Sequence, residues 1–186
     1  YNRTYNLRKR CNLQKQIACG LVLFVLLIYA TVRDLTTDRI DNRLILSGLC
    51  LGTGMRLLTE GPTCLVAVFG NILFPVVVLY LFYLVGALGA GDIKLFSMIG
   101  SFVQFKTLVI AMCGSLVCGA MEALVFLACQ NSVFRGLKWG FSYLTGLLHG
   151  QKPIAARDSK ARGRGIHFTV PILIGTVASV LAEILF

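Results

Sequence analysis

Long apolar runs alternate with short polar breaks along this chain. Residues 1–15 are polar and basic, with Arg3, Arg8, Lys9, Arg10 and Lys15. Residues 16–33 form the first apolar run, closed by the charged stretch from Asp34 to Arg43. Residues 44–58 are apolar but short, with Gly48, Gly52 and Gly54 inside, and Glu60-Gly61-Pro62 is a turn signal. Residues 63–88 are long enough to cross a bilayer with tilt, and Pro75 is a candidate kink. After a break at Gly89-Ala90-Gly91, residues 92–104 resume as a short apolar segment. Residues 107–129 make another full run with Glu122 inside it, and residues 167–186 make the last. A spanning helix needs about 20 apolar residues. The pattern therefore predicts an all-α integral membrane protein of about six transmembrane helices, the second and fourth short. A basic tail over 1–15 precedes one membrane domain over 16–186.

The longest polar stretch, 130–166, is basic. Within it Val133, Phe134, Leu137, Phe141, Leu144, Leu147 and Leu148 recur at helical spacing, with Lys138 and Trp139 among them. That period favours an amphipathic helix on the membrane surface over a solvated loop.

Composition agrees with the pattern. The chain is 56% hydrophobic and 14% charged, with a mean hydropathy of +0.78, whereas a soluble domain carries about a quarter charged residues. A net charge of +10 would suit nucleic acid. The bases, however, sit between apolar runs and at the N-terminus, as in loops that face anionic lipid. The lipid bilayer is the expected partner, and nucleic acid is not. The first apolar run follows basic residues but lacks a small-residue cleavage site, so it reads as a span rather than a removable signal. Seven cysteines without a C-x-x-C pair read as buried free thiols, with no zinc or redox motif.

Six spans place the loops at 33–43, 88–94 and 130–166 on one side, with eleven Lys/Arg; the other side, N-terminus included, has seven. The positive-inside rule puts the first set in the cytoplasm. Two acidic clusters lie on that side: Asp34-Leu35-Thr36-Thr37-Asp38-Arg39-Ile40-Asp41-Asn42, and Asp92 after Gly89-Ala90-Gly91. Asp34 ends the first span and Asp92 begins the fourth, so both share one membrane depth. A carboxylate beside a bilayer core is costly and marks function by default. Two carboxylates held close cannot both ionise, which suits an aspartyl protease: one activates water and the other protonates the scissile carbonyl. Gly89 and Gly91 are expected to adopt backbone angles barred to other residues and to leave room for an extended substrate. Taken singly, Asp92 also reads as a helix cap, and Asp34 as a helix-end charge paired with Arg33 or Arg39.

The string Gly89-Ala90-Gly91-Asp92-Ile93-Lys94-Leu95 resembles the G-x-G-D-x-K-L signature of type IV prepilin peptidases, a G-x-G-D class of intramembrane aspartyl protease. Asp34-Leu35, followed by Ile40-Asp41-Asn42, is similar to the family's first motif, in which a hydrophobic-Pro-Asn element follows the Asp. Asp41 stands where the family has Pro. Pro171 and Gly175 resemble its Pro-containing last span. The resemblance covers about residues 16–186. It implies catalytic Asp34 and Asp92, with Gly89, Gly91, Lys94, Ile40 and Asn42 supporting them, and no metal or cofactor. It implies a prepilin or pilin-like precursor as substrate, cut on the cytoplasmic side of a bacterial or archaeal inner membrane. Larger members also methylate the new N-terminus through an extra cysteine-bearing region; without that region, peptidase activity alone is expected.

Other residues carry weaker signals. Asp38 and Asp41 are candidates to attract a basic leader. Lys94 suits either tuning of the acidic pair or snorkelling to the interface. Glu122, mid-span, is expected to be buried, either bonded to a neighbouring helix as a protonated acid, the favoured reading, or in a polar cavity. His149 and His167 lack metal-ligand spacing. The rival function is a small ion or proton transporter using Asp34, Asp92 and Glu122; such a path does not demand Gly-x-Gly ahead of Asp.

Overall fold

The structure, a computed structural model, describes residues 2–37, 40–84, 88–129 and 168–185. The surface-helix expectation within 130–166, together with Asp38, His149 and His167, lies outside them. Six α-helices appear among the described residues: α1 (Asn2–Thr37), α2 (Asn42–Glu60), α3 (Leu65–Leu84), α4 (Ala90–Phe102), α5 (Phe105–Cys129) and α6 (Thr169–Leu185). By internal packing the chain forms two units, Tyr1–Leu116 with His167–Phe186, and Val117–Ile166.

The predicted breaks fall close to the observed ones. Gly61 takes φ 80° between α2 and a 3-10 turn over Pro62–Cys64. That left-handed angle suits glycine, and the following Pro cannot continue α2. One boundary differs: the polar tail is helical from Asn2 and continuous with the first apolar run, since no proline lies between Asn2 and Thr37 to end it. Among the described residues, three segments are long and apolar enough to cross a membrane: Gln16–Thr37, Pro62–Leu84 and Phe105–Val125. At 13 residues, α4 is only about 20 Å long against a hydrocarbon core of about 30 Å.

α4 is the centre of the first unit. Every residue from Leu95 to Phe102 is buried, with α1, α2, α3 and α6 packed around it. Small residues allow this closeness. Gly48 and Gly52, four apart on α2, face Met98 and Ser101 with Phe102, and a Cβ at either position would collide with them. On α3, Pro75 lacks the N–H that would bond the Asn71 carbonyl. Gly100 of α4 packs directly against that carbonyl. Ser97 and Ser101 turn their hydroxyls back to Ile93 O and Met98 O within α4, which satisfies them inside the core.

The two ends of α4 are fixed by polar contacts. At its C-terminal end the Val103 carbonyl accepts from Arg56 Nη1 at 3.1 Å and Asn71 Nδ2 at 3.0 Å. At its N-terminal end lie Gly89, Gly91 and Asp92.

Some expectations are corrected. Glu122 is exposed rather than buried. In a helix apolar on every side, the sequence pattern does not say which face packs. Of the five cysteines with described side chains, all are free; Cys64 is buried, whereas Cys50 and Cys113 are exposed.

Candidate active site

Four chain segments meet at one end of the first unit. They are the last turn of α1 with Asp34, Ile40 to Asn42 leading into α2, the first turn of α4, and the start of α6. Asp34 and Asp92 are each half-buried. They lie near enough for the charge on Asp34 to act on Asp92.

The first turn of α4 is built around Asp92. Gly89 is the N-cap residue and Asp92 is the third helical residue. Its Oδ2 accepts the exposed Gly89 N–H at 3.0 Å. Asp92 therefore does cap its helix, using one oxygen for an N–H that the helix itself leaves unpaired. The expected backbone angles of the glycines are corrected. Gly89 has ordinary extended angles (φ −79°, ψ 152°), and Gly61 is the one positive-φ glycine among the described residues. Both glycines allow close approaches. A Cβ on Gly89 would stand 3.1 Å from Asp92 Oδ2, and one on Gly91 would stand 3.0 Å from Ile40 Cδ1.

Gly91 against Ile40 is one of two joints between the acidic motifs. The other is Lys94, whose Nζ donates to Asn42 Oδ1 at 2.9 Å. Both side chains are exposed. Gly89, Gly91, Lys94, Ile40 and Asn42 thus lie on the segments that carry the two aspartates. Asp41, in the position expected of proline, is the N-cap of α2 with φ −66°, which is the angle a proline ring would fix. Its carboxylate is paired with Arg33 Nη2 at 2.7 Å.

Sequence reasoning missed Thr169. It opens α6, is 2% exposed, and donates from Oγ1 to Asp34 Oδ2 at 2.9 Å. The string around Pro171 and Gly175 was the available signal. Pro171 falls in the first turn of α6, where a missing N–H costs little. A Cβ on Gly175 would crowd Ser115 and Ala111 of α5. Those two residues thus set the helix that delivers Thr169.

A cavity of about 270 Å³ lies at the opposite end of these helices, walled by Gln16, Arg56, Glu60 and Glu183 among others. Its acids are already bonded, Glu60 to Arg56 and Glu183 to Thr107. The paired aspartates, not this cavity, are the candidate chemistry.

A family model described as type IV leader peptidase matches residues 21–124. No curated protein and no solved structure gave a match. Since the matched region holds both acidic motifs and exceeds half of the 186 residues, the chain belongs to the type IV leader peptidase family.

Proposed function

We propose that this protein is a membrane-embedded aspartic endopeptidase that removes the leader from type IV prepilins or pilin-like precursors. What supports the reading is that Asp34 and Asp92 lie at one end of the first unit, near enough for one to act electrostatically on the other. Each has one carboxylate oxygen held by a donor, Thr169 Oγ1 or Gly89 N. The two motifs around them interlock through Gly91–Ile40 and Lys94–Asn42.

In this reading one carboxylate is ionised and its partner holds a proton, because like charges at short range oppose double ionisation. The ionised member takes a proton from water as the water oxygen attacks the scissile carbonyl carbon. The protonated member donates to the carbonyl oxygen. No side chain becomes covalently attached. The protein lies in the inner membrane of a bacterial or archaeal cell. The dyad lies on the cytoplasmic side, where the positive-inside rule puts the larger share of Lys and Arg. The leader is cut just before the substrate's apolar helix. The Arg33–Asp41 pair leaves little free charge on Asp41 for attracting a basic leader.

The test is co-expression with a candidate prepilin, comparing wild type with Asp34→Asn and Asp92→Asn. Cleavage is expected to stop in both variants while each protein stays at wild-type level in the membrane. Retained cleavage in either variant removes that residue from the dyad.

A further inference from the structure

Most described hydroxyls in this chain turn back onto their own helices. Thr31 bonds Leu27 O, Ser97 bonds Ile93 O, Ser115 bonds Ala111 O and Ser179 bonds Thr176 O. Thr169 differs because it is the first residue of α6, with no earlier turn of that helix to bond. Its hydroxyl crosses to α1 and donates to Asp34 Oδ2 at 2.9 Å. The residue is 2% exposed, so this donor is shielded from water.

Asp92 also has a donor, the Gly89 N–H, but that contact is exposed. A donor stabilises the ionised carboxylate it bonds, and does so more strongly where water is excluded. Of these two contacts, the one to Asp34 is the more shielded from water.

We propose that Thr169 is a positioning residue that holds Asp34 as the ionised, water-activating member of the dyad, leaving Asp92 to carry the shared proton. This rests on the peptidase reading and gives each aspartate a role. Thr169 bonds Oδ2 of Asp34, and the Asp34 carboxylate takes the proton from water. The water oxygen bonds to the carbonyl carbon, and the Asp92 proton moves to the carbonyl oxygen, giving a gem-diol. On collapse the C–N bond breaks and the proton on Asp34 passes to the leaving nitrogen. A gem-diol hydroxyl returns its proton to Asp92, so both aspartates end as they began. The other charged groups described at this end are Arg33, paired with Asp41, Lys94, bonded to Asn42, and Arg43 in the first turn of α2.

The experiment uses the full chain in membranes with a candidate prepilin. Thr169→Val removes the donor at nearly constant volume, and Thr169→Ser keeps it. The expected loss of kcat in Thr169→Val is roughly tenfold or more, as for a hydrogen bond to a charged group, with KM little changed. Thr169→Ser is expected to stay within about threefold of wild type, since the hydroxyl remains. In Thr169→Val the acidic limb of the kcat/KM profile moves to higher pH, because the base loses a donor to its charged form.

Wild-type kcat in Thr169→Val overturns the proposal, as does a Thr169→Ser variant that falls as far as Thr169→Val. Movement of the alkaline limb alone would reverse the two roles. If Thr169→Val does not accumulate, the Ser variant and its pH profile decide: a wild-type kcat and profile support the donor role, and a loss of kcat overturns it. Cleavage by Asp34→Asn or Asp92→Asn would sink the peptidase reading itself. Inactive Asn variants beside a fully active Thr169→Val would sink only the role of Thr169.

Discussion

Lys94 Nζ is bonded to Asn42 Oδ1 at 2.9 Å, so the lysine of one acidic motif holds the asparagine of the other across 52 positions of sequence. Both side chains are exposed, and a contact of that kind contributes about 1 kcal/mol or less to stability. Its consequence is register: it sets the first turn of α4, with Asp92, against the first turn of α2. Lys94→Met and Asn42→Ala are each expected to lower kcat by roughly three- to tenfold, as small misplacements of catalytic groups do. Thermal unfolding should barely move. The double variant should be no slower than the worse single one, because the two residues act as one contact. Cleavage kinetics on all four proteins check this, and additive losses would mean separate roles.

Gly91 offers a contrast between stability and geometry. An alanine there gains helix propensity of about 1 kcal/mol over glycine. Against that, its Cβ would lie 3.0 Å from Ile40 Cδ1, and overpacking costs about 1–3 kcal/mol. Ile40 is only partly buried and its side-chain end can yield. Gly91→Ala should therefore leave the melting temperature near wild type and reduce cleavage, with Ile40→Val restoring it. Gly52→Ala is different in kind, because its Cβ would meet Ser101 and the Phe102 ring inside the core. It should lower the melting temperature outright.

The helix order was readable in advance because backbone in an apolar medium must satisfy its own hydrogen bonds, and helices do so locally. Apolar length and the Gly61-Pro62 stop then placed α2, α3, α4 and α5 to within a few residues. Which faces meet was not readable, because runs such as 107–129 are apolar all round and carry no preferred side. Glu122 was misplaced for that reason. The two aspartates and their supporting residues were visible as motifs. Their joints through Gly91–Ile40 and Lys94–Asn42 were not, since both depend on the packing of α2 against α4. Thr169 was not singled out beside Pro171 and Gly175, because a lone Thr at a helix start reads as a cap until its hydroxyl is seen on Asp34.

Asp41 gives a further test. Its φ of −66° already matches proline, and the α2 bonds that it supports use its carbonyl, which accepts from Leu44 N and Ile45 N. Asp41→Pro keeps that carbonyl and loses the pair with Arg33, whose side chains are 39% and 55% exposed. An ion pair so exposed contributes about 0–1 kcal/mol, and a pre-set φ offsets part of that through the unfolded chain. The variant should fold, melt within a few degrees of wild type and cleave normally. A lost α2 start, seen as reduced helicity by circular dichroism, would contradict the assignment.

The far end of α4 is held by Arg56 and Asn71, which share the Val103 carbonyl. Arg56 is 6% exposed and also grips Glu60 through Nε at 3.2 Å and Nη2 at 2.8 Å. Breaking a fully buried pair costs about 3–5 kcal/mol. The Glu60 side chain is 42% exposed and can turn to water, so Arg56→Met should cost nearer 2 kcal/mol, about the worth of a hydrogen bond to a charged group. Arg56→Lys should recover little, because an ammonium cannot bind Glu60 and Val103 with the fork of a guanidinium. Asn71→Ala leaves Arg56 on the carbonyl and should cost about 1 kcal/mol. Removing both donors strips Val103 O of both side-chain partners, so the double variant should lose more than the two single losses together. Thermal unfolding of the purified protein in detergent reads all four, and strict additivity would show that the two donors do not share the end of α4.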